Sequence, residues 1–305
     1  MWSAALGLAP SKDVFWSNSS ESYCKGPLHL KDCLKSKYSH ASEPHPEVQA
    51  AVALLSAGPV GPGDKIGAAN KSLLMQTCRD DGLLLKPSYP ATALDLVLHE
   101  RASGKRDRHS GGEINVAYSN ISGRVFATII AIDLPRDVTL TAADLGFGST
   151  GTVLISHERE GGVQGAHSDG GHGITLKKCG KANFRLVWVS PMPTNGEAVL
   201  LGEVGKFVPH SPMRWSYMGH LGDGATQVQV RQGDREIFQM AWFIPKTGKV
   251  VTAECRPDSH TIGHGAQEEA EAVEPVMKLW GAVEAPREEF QTALITSDGE
   301  ATCGS

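Results

Sequence analysis

Two aspartates early in the chain, Asp13 and Asp64, stand where carboxylates can do chemistry. Asp13 lies in SKDVFWS beside Phe15 and Trp16, and Asp64 closes GPVGPGD. An aromatic ring next to a carboxylate suits a sugar, because the ring stacks on C–H faces while the carboxylate accepts hydroxyl protons. Pairs of Asp and Glu also run glycoside hydrolysis. Asp13, Trp16 and Asp64 are therefore the candidate substrate-binding residues. A helix N-cap for Asp64 and a structural hydrogen bond for Asp13 are the competing readings. Asp80 and Asp81 read as turn residues before Gly82.

Other motifs carry less. HSDGGHG at 167–173 holds His167, Asp169 and His172, a donor set that can ligate a metal, but a glycine-rich loop collects such residues without fixing their geometry. His260 and His264 have i, i+4 spacing, yet Gly263 and Gly265 oppose a helix there, so the pair reads as solvated. GFGSTG at 146–151 matches G-x-G-x-x-G literally. The dinucleotide motif needs a helix after it, and TVLISHE is strand-like. No G-x-S-x-G elbow and no Walker-type loop occur. No cofactor and no metal are expected.

These residues must be positioned by a fold that 305 residues can build as one large domain or two ordinary ones. With 40% hydrophobic and 21% charged residues, the chain can bury a core. A formal charge of −5 argues against nucleic acid as a partner. No apolar run approaches the roughly 20 residues that span a bilayer. MWSAALGLAPSKD lacks a basic n-region and a long apolar h-region, so it is a poor signal peptide. The six cysteines form no CxxC pair; Cys24 and Cys33 can close a small loop disulfide, and free thiols fit equally. Sequons begin at Asn18, Asn70 and Asn120, and the compartment stays open.

Along the chain, residues 11–17 read as a strand end and 18–45 as an inserted polar loop. Pro46 starts a helix whose buried face is Val48, Ala51, Val52 and Leu55, with Gly58 stopping it. GPVGPGD is a short strand running into a loop, Ala69 or Asn70 opens a second helix, and LLLKPSYPAT is extended. From 93 to 255 short Val/Ile/Leu-rich runs separated by turns predict an antiparallel β-sandwich with no helix, and Lys246-Thr247-Gly248 a hairpin turn. Residues 258–305 read as an acidic mobile tail in which Val276, Leu279 and Trp280 can dock a helical turn.

LLSAGPVGPGDKIGAANKSLLMQTCRDDGLLLKPSYPAT resembles the end of the catalytic barrel in the raffinose synthase and seed-imbibition branch of the α-galactosidase-like glycoside hydrolases. Ser56-Ala57-Gly58-Pro59 takes the strand position of that family, Asp64 the acidic one, Leu73-Leu74 the helix and Asp81-Gly82 the turn. Asp13-Val14-Phe15 is similar to the Asp-Met-Phe that ends the family's seventh strand. The resemblance implies an α+β, multi-domain chain: residues 1–92 as the terminal portion of a (β/α)8 barrel with the loop 18–45 inserted, then an antiparallel β-sandwich over 93–257.

It implies a function too: the C-terminal portion of a glycoside hydrolase acting on α-linked, α-galactosyl-type sugars, with a carbohydrate as partner. The family's nucleophile and acid/base lie upstream of the seventh strand. Neither has a counterpart here, so the chain alone is expected to be inactive. The alternative is a stand-alone, non-catalytic sandwich that binds carbohydrate or protein. Trp188, Trp215, Tyr217 and Trp242 are its candidate aromatic platform. Trp188 and Trp242 read as core, and Trp215 as the best exposed candidate.

Overall fold

The structure, a computed structural model, describes residues 11–19, 42–104, 111–148, 153–159, 163–167, 173–193, 197–220, 225–233, 236–256, 289–295 and 301–304. Antiparallel sheet dominates, as the runs after residue 93 predict. Strands β1 (Tyr89–Ala93), β2 (Glu113–Ile121), β3 (Arg124–Ile132), β5 (Val153–Glu158), β6 (Val163–His167) and β8 (Arg185–Pro191) form a sheet in the order β1-β2-β3-β8-β5-β6. Strands β4 (Val138–Leu140) and β7 (Ile174–Leu176) form a separate ribbon. The β2–β3 turn is two residues, Ser122 and Gly123, both with positive φ, the geometry that matches the twist of a tight hairpin.

This six-stranded sheet is covered on both faces. Ile129, Ala131, Val187 and Val189 join a core with Val138, Leu140 and Leu176 of the ribbon. The alternate residues Ile130, Leu186 and Trp188 meet Phe15, Leu54 and Leu55 from the first part of the chain. Two buried faces explain why VFATIIAI and RLVWVS are continuously apolar, where a sheet with one wet face would alternate.

Beyond it lie two smaller sheets. One is β13-β12-β9, from β9 (Val199–Glu203), β12 (Phe238–Ile244) and β13 (Lys249–Cys255). The other is β10-β11-β14-β15, from β10 (Trp215–His220), β11 (Thr226–Gln232), β14 (Glu289–Ile295) and β15 (Ala301–Gly304). Leu200, Met240, Trp242 and Ile244 share a core with Trp215, Met218, Val228, Val230, Ala293 and Ile295. A disulfide, Cys255–Cys303, ties β13 to β15. Ile244 and Lys249 frame the turn expected at 246–248, with Gly248 at φ 67°.

Helix α1 (Pro46–Leu55) begins with Pro46 in its first turn, as expected. Its buried face is broader than the expected one: Ala50, Ala51, Ala53, Leu54 and Leu55 are buried, while Val48 and Val52 are half-exposed. It ends at Ser56, before Gly58, because Ala57 takes the left-handed conformation at φ 58°. Helix α2 (Lys71–Leu74) is capped by Asn70, whose Oδ1 accepts the Leu73 N–H at 3.1 Å.

Three expectations need correction. A helix, α3 (Asp95–Ser103), forms where none is expected; only Leu94, Val97 and Glu100 anchor it, too few to show a period. Residues 89–93 form a strand of the six-stranded sheet, so the boundary expected between 92 and 93 falls inside a strand. The expected tail contributes β14 and β15; residues 257–288, with Val276, Leu279 and Trp280, lie outside the described residues.

Candidate functional site

Phe15 pairs with Pro62 in a parallel bridge: Phe15 N–H donates to Gly61 O at 3.2 Å and Gly63 N–H to Phe15 O at 2.7 Å. Just past the bridge, Ser17 is fully buried and donates twice to Asp64, from its amide to Oδ1 and its hydroxyl to Oδ2, both at 2.7 Å. The Ser17 hydroxyl accepts the Asn70 N–H at 2.7 Å, and Asn18 Nδ2 reaches Ala68 O at 3.5 Å. Asp64 thus clamps the ends of the two segments and holds the loop that leads to α2; it does not cap that helix.

Trp16 is half-buried, and a Cβ placed on Gly63 would lie 3.8 Å from its Cδ1. Trp16 and Asp64 both follow the bridged residues of the parallel pair. Asp13 does not end the strand: it precedes the bridged Phe15, is exposed, and its Oδ1 accepts the neighbouring Val14 N–H at 2.8 Å.

The aromatic platform fails at its best member. Trp215 is 1% exposed, with its Nε1–H donating to Pro209 O at 2.6 Å. Trp188 and Trp242 are core, as expected, and Tyr217 alone of the four is exposed. GFGSTG is followed by strand β5, which removes the helix that a dinucleotide site requires. His167 ends β6; Asp169, His172, His260 and His264, like Cys24 and Cys33, lie outside the described residues. Among the described residues no group of three His, Cys, Asp or Glu is arranged to hold a metal ion.

A buried charge network had no signature in the sequence. The Arg214 guanidinium, wholly buried, donates to Glu203 at 2.7 and 3.1 Å, to Glu236 at 2.7 and 2.7 Å and to Arg231 O at 2.7 Å. It also stacks over the Phe238 ring at 4.2 Å. Burial opposes its charge, but the two carboxylates outweigh burial and hold it protonated. Burial likewise raises the Glu236 carboxyl, and the Arg214 hydrogen bond and charge outweigh that and lower it. Glu236 also accepts the Asp80 N–H at 3.1 Å, and Lys206 Nζ donates to Met75 O and Cys78 O at 2.8 Å. The network fastens residues 75–81 to the sheets, and its partners are spent on one another.

Between the helical segment and the sheets lies a cavity of about 860 Å³, the size of a small-molecule site. His157 and Trp188, paired across β5 and β8, form part of its wall with their rings 4.8 Å apart. Behind them His210 is fully buried, stacked on Phe126, with Nε2 within 3.1 Å of Ser190 Oγ and Leu200 O. Burial lowers His157 from its usual 6.5 to about 4. Burial, then the charge of His157, lowers His210 to about 3 against its bond to Leu200 O.

Both histidines are thus neutral in the fold and take up protons on unfolding below pH 6.5. Depressed histidine pKa values make stability fall as pH drops. Between pH 7 and pH 5, His210 alone removes about 2 kcal/mol, and the part-exposed His157 adds less. Urea unfolding at the two pH values checks this: a midpoint that stays level or rises toward pH 5 rules it out.

No protein-family model matches the chain, and no curated protein sequence matches it.

Proposed function

We propose that the α/β segment before β1 is the closing part of a barrel glycoside hydrolase acting on α-linked, α-galactosyl-type sugars, buttressed by the β-sandwich. The observation that carries this reading is the parallel Phe15–Pro62 bridge with helix α1 between its two segments. Strand, helix and parallel strand in succession is the repeating unit of an α/β barrel, whose substrate groups sit at the C-terminal strand ends. Trp16 and Asp64 occupy such an end.

Two further features support it. Among the described residues the bridged segments pair with no other strand, and Val14 and Ile66 beside them are exposed. Bare apolar edges of this kind call for neighbouring strands. Asp64, with both oxygens taken by Ser17, suits a rim residue that shapes the pocket, with Trp16 stacking on a sugar ring; Asp13, which precedes the bridge, lies outside that rim. The nucleophile and the acid/base of a retaining mechanism would come from other strands, so these 305 residues alone would not hydrolyse a glycoside. The alternative, a stand-alone carbohydrate- or protein-binding sandwich, keeps Tyr217 as an exposed aromatic but not Trp215, which is buried.

The test is the size of the native protein in its source, by immunoblot with an antibody to the sandwich. A band well above 32.5 kDa is expected, and one at that mass overturns the reading. In the whole protein, Trp16→Ala should weaken binding of methyl α-galactoside about tenfold, the scale of one stacked ring.

A further inference from the structure

We propose that the cavity walled by His157 and Trp188 is a binding site for a neutral glycoside, separate from the rim at Trp16 and Asp64. Its charged wall residues are already matched. Arg159 pairs with Glu47 at 2.9 Å, Glu158 with Arg185 at 3.7 Å and Lys206 with Glu203 at 3.4 Å. An ionic ligand would have to break one of these pairs, whereas a neutral one leaves them intact.

His157 supplies the polar handle. Among the described residues neither of its ring nitrogens has a hydrogen-bond partner, Nδ1 is buried, and the residue lines the cavity. A neutral imidazole nitrogen is a donor or an acceptor according to tautomer, and a hydroxyl satisfies either. The opposite requirement, an apolar surface, is met by Trp188 and Leu201 in the wall and by Val204 and Val250, which are 45% and 47% exposed at its edge. A pyranoside ring offers both: hydroxyls on its rim and C–H groups on its faces.

The experiment is an NMR titration of the full chain with methyl α-galactoside, methyl α-glucoside and the uronic acid of the latter, read on the His157 ring signals. His157→Gln assigns those signals. The expected result is a saturable shift with at least one methyl glycoside, weaker binding of the uronic acid, and about tenfold weaker binding in His157→Gln, the scale of one hydrogen bond. Val250→Asp, an exposed substitution that does not threaten the fold, should also weaken binding. An unmoved His157 signal, or equal affinity in His157→Gln and Val250→Asp, overturns the proposal. If Trp16→Ala abolishes binding while both cavity variants leave it unchanged, the rim binds the sugar and the cavity does not.

Discussion

Arg214→Met is expected to destabilise the chain by about 3–5 kcal/mol, measured as the loss of unfolding free energy in urea. The guanidinium makes five hydrogen bonds inside the protein and is shared by two buried carboxylates, Glu203 and Glu236. Removing it strips Glu236 of the guanidinium it shares and leaves Glu203 to its 3.4 Å pair with Lys206. Arg214→Lys should rescue little, because an ammonium cannot present the planar fork that faces both carboxylates. The triple change Arg214→Met, Glu203→Leu, Glu236→Leu should recover part of the loss by removing the stranded charges. Recovery is incomplete because Glu236 also accepts the Asp80 and Gly233 amides, which then lack a partner. Added salt should not mimic the substitution, since screening ions do not reach a wholly buried pair. A loss below about 1 kcal/mol, the scale of a surface pair, would refute the account.

Breaking the Cys255–Cys303 bond, by reductant or by Cys303→Ser, is expected to cost about 4 kcal/mol. That is the loop-closure entropy for the 48-residue separation it spans. The effect should be uneven. Among the described residues β15 pairs only with β14, so the amides of β14 and β15 should exchange first with deuterium while those of β2 and β3 stay protected. Uniform loss of protection, or an unchanged melting temperature on reduction, would contradict this.

How much of this was legible in the sequence depends on whether the signal was local. The α1 start at Pro46, the opening of α2 at Ala69 or Asn70, the 246–248 turn and the core positions of Trp188 and Trp242 follow from neighbours in the chain. What was missed depends on distant partners. Trp215 reads as exposed in SPMRWSYM because polar residues flank it, yet the ring is enclosed by Met218 and Phe238 with Pro209 O on its indole N–H. Cys255 finds Cys303 across two sheets, and Arg214 finds carboxylates on β9 and in the turn before β12. Composition reports the cysteines and charges but not who meets whom. At the candidate rim, Trp16 and Asp64 follow the bridged residues of their segments. Asp13 was misplaced by a few residues, because a single bridge leaves no alternation from which to read where a strand ends.

The two-faced burial of the six-stranded sheet also limits how such a chain can vary. Ala50, Leu54 and Leu55 on α1 close the same core as Ile130, Leu186 and Trp188 on the sheet. The segment before β1 and the antiparallel sheets are therefore not interchangeable modules. A recombination point at residues 89–93 would sever β1 from the face that α1 covers and leave both halves with apolar surface that matched no new partner. Inheritance should keep the two together, with changes of volume at Leu54 answered by changes at Ile130 or Leu186, so that across related chains these distant positions drift as a group.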